Sequence, residues 1–188
     1  MGYFDKAKNV HDYIRMAEGY DGSELIGILE DYLPPGSSVL ELGMGPGKDL
    51  DLLAESFRAT GSDISRVFLD LYRRKHPDAD LLQLDAVTLE TDRKFDCLYS
   101  NKVLIHLRKD ELAESLIRQR EALNDDGILF HSFWWGDREE EMHGLRFVYY
   151  TEAAIRPLVG DLLLEWIGFG RYKEMKKNDS FYMVLKRK

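Results

Sequence analysis

An α/β fold with a doubly wound, mostly parallel sheet closed by an antiparallel strand pair is predicted by three features of the 188-residue chain. From residue 39 onward, short apolar runs alternate with amphipathic helical stretches, which calls for crossover connections and helices on both faces of a sheet. The first apolar run leads into ELGMGPG (41–47), a turn with glycines at 43, 45 and 47 that opens a helical segment. The chain ends in two longer strand-like runs, LLLEWIGFGRY and SFYMVLKRK, split by the turn KEMKKND.

Taken in order, residues 1–34 form an N-terminal helical cap. Leu25, Ile28, Leu29, Tyr32 and Leu33 recur at helical spacing and make one buried stripe. PPGSS (34–38) breaks that pattern. VLEL (39–42) reads as a strand, GKDLDLLAESF (47–57) as a helix and RATGSDI (58–64) as a second strand. Ser65 is placed to cap a helix running through Arg74. LLQLD (81–85), FDCLYS (95–100) and GILFHSF (127–133) supply three more strands. KDELAESLIRQREAL (109–123) is helical with Leu112, Leu116, Ile117 and Leu123 on one face, and NDDG (124–127) is expected to stop it in a turn. The whole reads as a single domain, with a ligand-binding core over 39–133 and a substrate-side lid and hairpin over 134–188.

Apolar residues at 44% and charged residues at 32% are ordinary for a soluble globular protein. A net charge of −8 argues against binding by phosphate neutralisation, so no nucleic-acid partner is expected. The single cysteine, Cys97, excludes an intrachain disulfide and suits a reducing compartment. No apolar run approaches the roughly 20 residues of a membrane span, and MGYFDKAKNVHDY lacks the apolar core of a signal peptide. A cytoplasmic protein with no membrane partner is the expectation.

The glycine turn invites several ligands. A nucleotide-hydrolase phosphate loop needs Gly-Lys-Ser/Thr, whereas Lys48 is followed by Asp49. The dinucleotide fingerprint started at Gly43 wants its third glycine at position 48, which is Lys48, and the carboxylate of Glu41 opposes a pyrophosphate. A ligand with a positive centre and no phosphate suits the turn better. Asp63 ends the second strand, 20 positions past Gly43, where an acid accepts from ribose hydroxyls. Asp85 ends the third strand, within reach of an exocyclic amine. Each acid also has a bland reading, as a helix cap for Asp63 and a solvated loop acid for Asp85.

Carried by ELGMGPG, TGSDIS (60–65), LLQLDA (81–86), FDCLYSNKVLIHL (95–107) and LNDDGILFHSF (123–133), the sequence resembles the class I S-adenosylmethionine-dependent methyltransferases, small-molecule type. The resemblance implies a Rossmann-like methyltransferase sheet of seven strands in the order 3-2-1-4-5-7-6, with the seventh antiparallel. It implies S-adenosyl-L-methionine as cofactor, held by Glu41, Gly43, Gly45 and Gly47 at the methionine end. Asp63 would take the ribose, Ile64 would pack on the adenine, and Asp85 and Ala86 would bind the adenine edge, with Asn101 under the methionine moiety. Tyr13, Arg15 and Tyr20 are the candidates from an N-terminal helix folded over the cofactor. The implied activity is methyl transfer to a small-molecule acceptor.

The catalytic half is less determined. His106, in the apolar stretch VLIHL, is a candidate base or a packed histidine, and His131 is read as structural. Trp134 and Trp135 either wall a substrate pocket or plug the core. Arg146, Tyr149 and Tyr150 are candidates for the same mouth, where Arg146 would favour an anionic acceptor. The adjacent acids of DREEEMH (137–143) suit a solvated lid, not a metal site, and no metal is expected. SNKV (100–103) lacks the Asn/Asp-Pro-Pro-aromatic signature of enzymes that methylate planar amines. A methyltransferase acting on RNA or protein and a non-catalytic S-adenosylmethionine-binding module stay open, as do monomer and homodimer.

Overall fold

The computed structural model describes residues 3–142 and 144–188. Two helices, α1 (Ala7–Met16) and α2 (Ser23–Leu29), precede the sheet. Then come β1 (Ser38–Leu42), α3 (Lys48–Ser56), β2 (Arg58–Asp63), α4 (Arg66–Lys75), β3 (Leu81–Gln83) and β4 (Phe95–Asn101). A short 3-10 turn, Leu104–His106, leads to α5 (Lys109–Glu121) and β5 (Leu123–Trp134). The rest is β6 (Glu139–Met142), β7 (Leu145–Val148), α6 (Glu152–Val159), β8 (Leu164–Tyr172) and β9 (Ser180–Arg187). The main sheet has seven strands in the order β3-β2-β1-β4-β5-β9-β8, while β6 and β7 pair separately. β1 runs parallel to β2 and β4, and β9 is antiparallel to both β5 and β8. This is the Rossmann-like order expected, with β9 and β8 as the last two strands of the sheet. Because strand order reverses between β1 and β4, their carboxyl ends open a crevice on one edge of the sheet.

Period-2 burial drives the sheet together. Along β1, Leu40 and Leu42 join the core beneath α5 and α6, and Val39 joins the core beneath α2 and α3. Each fully buried leucine or phenylalanine contributes up to about 1.5–3 kcal/mol from apolar burial. In α2 and the turn after it Leu25, Leu29 and Leu33 are buried, with Ile28 and Tyr32 packed at the edge of the same cluster. α5 is started by Glu111, whose carboxylate accepts the Arg108 amide at 2.8 Å.

Several expected boundaries move. α5 stops at Glu121, and Leu123 begins β5; Ile117 is 43% exposed and does not share the buried face of Leu112 and Leu116. NDDG does loop out, but inside β5: the register jumps from Phe95 opposite Leu123 to Cys97 opposite Ile128. Asp126 takes a positive φ of 63°, and the Asn124 amide donates to Asp96 at 2.7 Å, so these residues form a bulge that the ladder spans. The third strand ends at Gln83, short of Asp85. Ser65 occupies the position before α4 without capping it, because its hydroxyl donates to the Phe4 carbonyl at 2.7 Å. Of DREEEMH (137–143), expected as a solvated lid, Glu139–Met142 form β6, paired antiparallel with β7; His143 lies outside the described residues.

Candidate functional site

The turn after β1 puts Gly43, Gly45 and Gly47 at φ of 67°, 51° and 87°, all left-handed. At Gly43 a side chain is excluded twice over, because a Cβ would also lie 2.5 Å from Val103. Gly47 ends the turn as the residue before α3. The Gly45 amide donates to Asp63 at 2.9 Å, and Asp63 also accepts from the Ser65 amide at 2.8 Å. The acid ending β2 therefore ties the glycine turn to the start of α4. Burial pushes its carboxyl above the ordinary range, and the two main-chain bonds pull the other way.

Glu41 points from β1 into the crevice on the α2/α3 face. It is 4% exposed, and its Oε2 has no hydrogen-bond partner among the described residues. Burial first, then the charges of Asp49, Asp63 and Asp51, hold its carboxyl well above the ordinary range. A buried carboxyl oxygen without a donor is costly, and a cation placed against it would relieve both the desolvation and the acidic surroundings.

Main chain and side chains from four parts of the sequence close the cavity around Glu41. It is lined by the Gly43–Pro46 turn, by Tyr13, Ala17, Tyr20 and Asp21 from the N-terminal segment, by Lys48 and Asp49, and by Asn101, Lys102 and Glu174. Asp49 is the organising residue that the sequence reading missed. Its carboxylate accepts from the Gly22 amide at 2.7 Å, the Tyr99 hydroxyl at 2.9 Å and the Asn101 amide at 3.1 Å. Asn101 in turn accepts from Ser132 at 2.7 Å. Lys48, where the dinucleotide pattern wants glycine, donates to the carbonyls of Ala17 at 2.8 Å and Tyr20 at 3.2 Å. That ammonium seats the carboxyl end of α1 over the cavity, as cations do at helix C-termini.

Of the expected site residues, Glu41, Gly43, Gly45, Asn101, Tyr13 and Tyr20 meet at this cavity. Ile64, Asp85 and Ala86 are not among its lining residues. They extend along the carboxyl ends of β2 and β3, with Ile64 55% exposed, Asp85 accepting the Val87 amide at 2.7 Å and the Ala86 carbonyl accepting from Ser115 at 2.6 Å. Arg15 pairs with Asp12 on the surface of α1.

The acceptor-side candidates are placed elsewhere. His106 bonds the Arg146 carbonyl through Nδ1 at 2.6 Å and meets Phe147 edge-on. Since a carbonyl only accepts, Nδ1 carries the hydrogen, and burial lowers the ring's pKa. It anchors the β6–β7 hairpin and is not a lining residue of the cavity. Arg146 pairs with Glu139, and the Tyr149 hydroxyl donates to Glu140 at 2.5 Å beneath the Arg138 guanidinium, so neither reaches the cavity wall. Trp134 sits behind the wall, with the Lys102 ammonium 4.6 Å from its ring. His131 is buried against Ser100 at 2.8 Å, with its pKa lowered by burial to about 3. Asp49, Lys102 and Glu174 have no local sequence signature; the departure of Lys48 from the glycine pattern was the one visible sign.

A mostly parallel sheet in this order, with its β9 antiparallel, a glycine turn after β1 and a buried acid beneath that turn define the class I methyltransferase fold. Residues 39–127 match the family model described as a methyltransferase domain. The chain is 28% identical over 142 residues to dTDP-3-amino-3,6-dideoxy-alpha-D-glucopyranose N,N-dimethyltransferase of Streptomyces fradiae, covering 71% of this chain and 55% of that protein. It is 33% identical over 135 residues to trans-aconitate 2-methyltransferase of Paracidovorax citrulli, covering 69% and 50%. The chain thus spans about half the length of these curated relatives. Among solved structures, the 1,6-didemethyltoxoflavin-N1-methyltransferase of Burkholderia thailandensis, with 1,6-didemethyltoxoflavin and S-adenosylhomocysteine bound, superposes with a TM-score of 0.81 at 21% identity, covering 96% of this chain and 84% of that one.

Proposed function

We propose that this protein transfers the methyl group of S-adenosylmethionine to a small-molecule acceptor. The observation that carries the reading is the unpartnered, buried Oε2 of Glu41 beside the bare glycine turn. That arrangement fits the cofactor's ammonium, which would give Glu41 the cation that its surroundings lack. The turn's main chain at Gly43, Gly45 and Gly47 and the Asn101 side chain would hold the rest of the methionine moiety. Asp63, braced by Gly45 and Ser65, would lie toward the ribose, and Ile64, Asp85 and Ala86 along the adenine. When bound, the cofactor supplies a sulfonium methyl group already activated for displacement.

The chain's own part is then to bind, orient and exclude water. Residues 1–34 act as the cap, seated by Lys48 and Asp49 over the core of 39–133 and leaving the acceptor side to 134–188. The relatives named for a dTDP-linked amino sugar and for trans-aconitate support a small-molecule acceptor, and the net charge of −8 speaks against a nucleic-acid substrate. No helix of the described residues is long and apolar enough to cross a membrane. The single, buried Cys97 supports a reducing, cytoplasmic setting.

Calorimetric titration with S-adenosylhomocysteine tests the cofactor half, with binding expected for the wild type and a loss of about tenfold or more for Glu41→Ala. Consumption of the methyl group over a panel of small acceptors tests the transfer. Cofactor binding with no turnover on any acceptor would leave a binding module in place of an enzyme.

A further inference from the structure

One wall of the cavity, formed by Lys102 and Glu174, carries a built cluster that the methyl-transfer reading does not use. Lys102 follows β4 in a left-handed conformation, φ 58°, with its amide donating to Ser132 at 3.1 Å. A non-glycine residue held there costs on the order of 1 kcal/mol and implies that its surroundings fix it. Its ammonium lies between the rings of Trp134 and Tyr172, 4.6 and 4.7 Å from their centroids. It donates to the Tyr172 hydroxyl and pairs with Glu174 Oε2 at 2.7 Å, with the two charged side chains 12% and 18% exposed. Tyr172 donates to the same Oε2 at 3.0 Å, so both donors sit on one carboxylate oxygen. The turn that carries Glu174 is fixed independently: Asp179 accepts the amides of Glu174, Met175 and Lys176 at 2.9, 3.0 and 2.7 Å.

Charge accounting then selects a ligand class. The charged residues lining the cavity are Asp21, Glu41, Asp49 and Glu174 against Lys48 and Lys102. Both ammonium groups are engaged, Lys48 with two carbonyls and Lys102 with Tyr172 and Glu174. Arg146, the cation expected to favour an anionic acceptor, is paired with Glu139 away from the wall. An acceptor carboxylate or phosphate therefore meets no free cation among the described lining residues and faces like charge. Glu41 is assigned above to the cofactor's ammonium and Asp49 accepts three donors, which leaves Asp21 and Glu174 as the lining acids that meet the acceptor.

We infer that Glu174 receives a basic nitrogen of the methyl acceptor, and that Lys102 is the positioning residue that holds Glu174 on the wall; this rests on the methyltransferase reading above. The acceptor ammonium gives one proton to solvent. The freed lone pair forms the nitrogen–carbon bond as the sulfonium carbon–sulfur bond breaks and its electron pair stays on sulfur. Glu174 keeps one N–H throughout and orients the lone pair.

The test uses the full chain saturated with S-adenosylhomocysteine and three matched probes: cyclohexylamine, cyclohexanol and cyclohexanecarboxylate. Thermal shift is expected to rank the amine first, with Glu174→Gln weakening it about tenfold or more. Lys102→Met is expected to weaken the amine similarly and Lys102→Arg to restore it, with the S-adenosylhomocysteine affinity of each variant measured first and every amine titration run at saturation. Stabilisation by the carboxylate, no response to the amine, or an unchanged amine response in Glu174→Gln would overturn the proposal. Failure of the wild type to bind S-adenosylhomocysteine would instead overturn the methyl-transfer reading.

Discussion

The amide of Gly22 donates to Oδ1 of Asp49 at 2.7 Å, across 27 residues of sequence, and so binds the N-terminal cap to the first turn of α3. No side chain fits at position 22, where a Cβ would lie 2.4 Å from the Asp49 carboxylate. Replacing Asp49 by Asn sets an amide N–H2 against a donor from Gly22, Tyr99 or Asn101. A loss of about 1–3 kcal/mol is expected, measured by chemical denaturation, since one buried donor is left unmade. S-adenosylhomocysteine affinity should fall as well, because the cap is no longer held over the cavity; unchanged affinity would show that the cap is not part of the site.

Lys48 seats the same cap by a different route. In Lys48→Met the stem still packs, but the carbonyls of Ala17 and Tyr20 lose their donor. These groups stay wettable, so the global cost should be small, about 0.5–1 kcal/mol. Hydrogen exchange is the sharper probe: amides of α1 should exchange roughly tenfold faster while those of β1 and β4 do not change. Uniform acceleration across the chain would count against a local latch.

Glu41 makes the site pH-sensitive, and the sign follows from the direction of its shift. Its carboxyl is held well above the ordinary 4.5 in the fold. The protonated form is thus favoured in the native state, so stability is full below the unfolded pKa and falls as pH rises toward the folded one. Glu41→Gln should therefore stabilise the ligand-free protein near pH 7 by on the order of 1–3 kcal/mol while weakening cofactor binding. A cation bound beside Glu41 lowers its pKa again, so S-adenosylhomocysteine binding should release protons. Calorimetry in buffers of different ionisation enthalpy, repeated from pH 5 to pH 8, measures that release, and none at any pH in that range would mean that Glu41 does not contact the ligand.

What the sequence disclosed follows from the range of each interaction. Strands and helices announce themselves through periodic burial, as Leu40 and Leu42 or Leu112 and Leu116 do, because neighbours in sequence share a face. The glycine turn is local as well, so Glu41 and Gly43 were readable together. Lys102 and Glu174 are 72 residues apart, and nothing in either neighbourhood anticipates the pair. The β6–β7 hairpin was hidden for another reason: EEEM is three adjacent acids and a methionine, exposed at three of its four positions, so no apolar alternation marks the first strand of the pair. The bulge at 124–127 carries true turn residues, and only tertiary pairing with β4 draws them into one strand.

Gly43→Ala separates backbone strain from crowding in the turn. The new Cβ would sit 2.5 and 2.7 Å from the two Val103 methyl carbons, on a φ of 67° that an L residue rarely adopts. The two penalties together are expected to cost about 2–4 kcal/mol in stability. Pairing the change with Val103→Ala removes the clash and leaves the strain, so the double variant should recover part of the loss relative to the sum of the singles. A coupling of about 1 kcal/mol or more in a denaturation cycle is the expected result. Strict additivity would mean that Val103 moves aside freely, and that the turn's conformation alone demands glycine at the point where β1 gives way to α3.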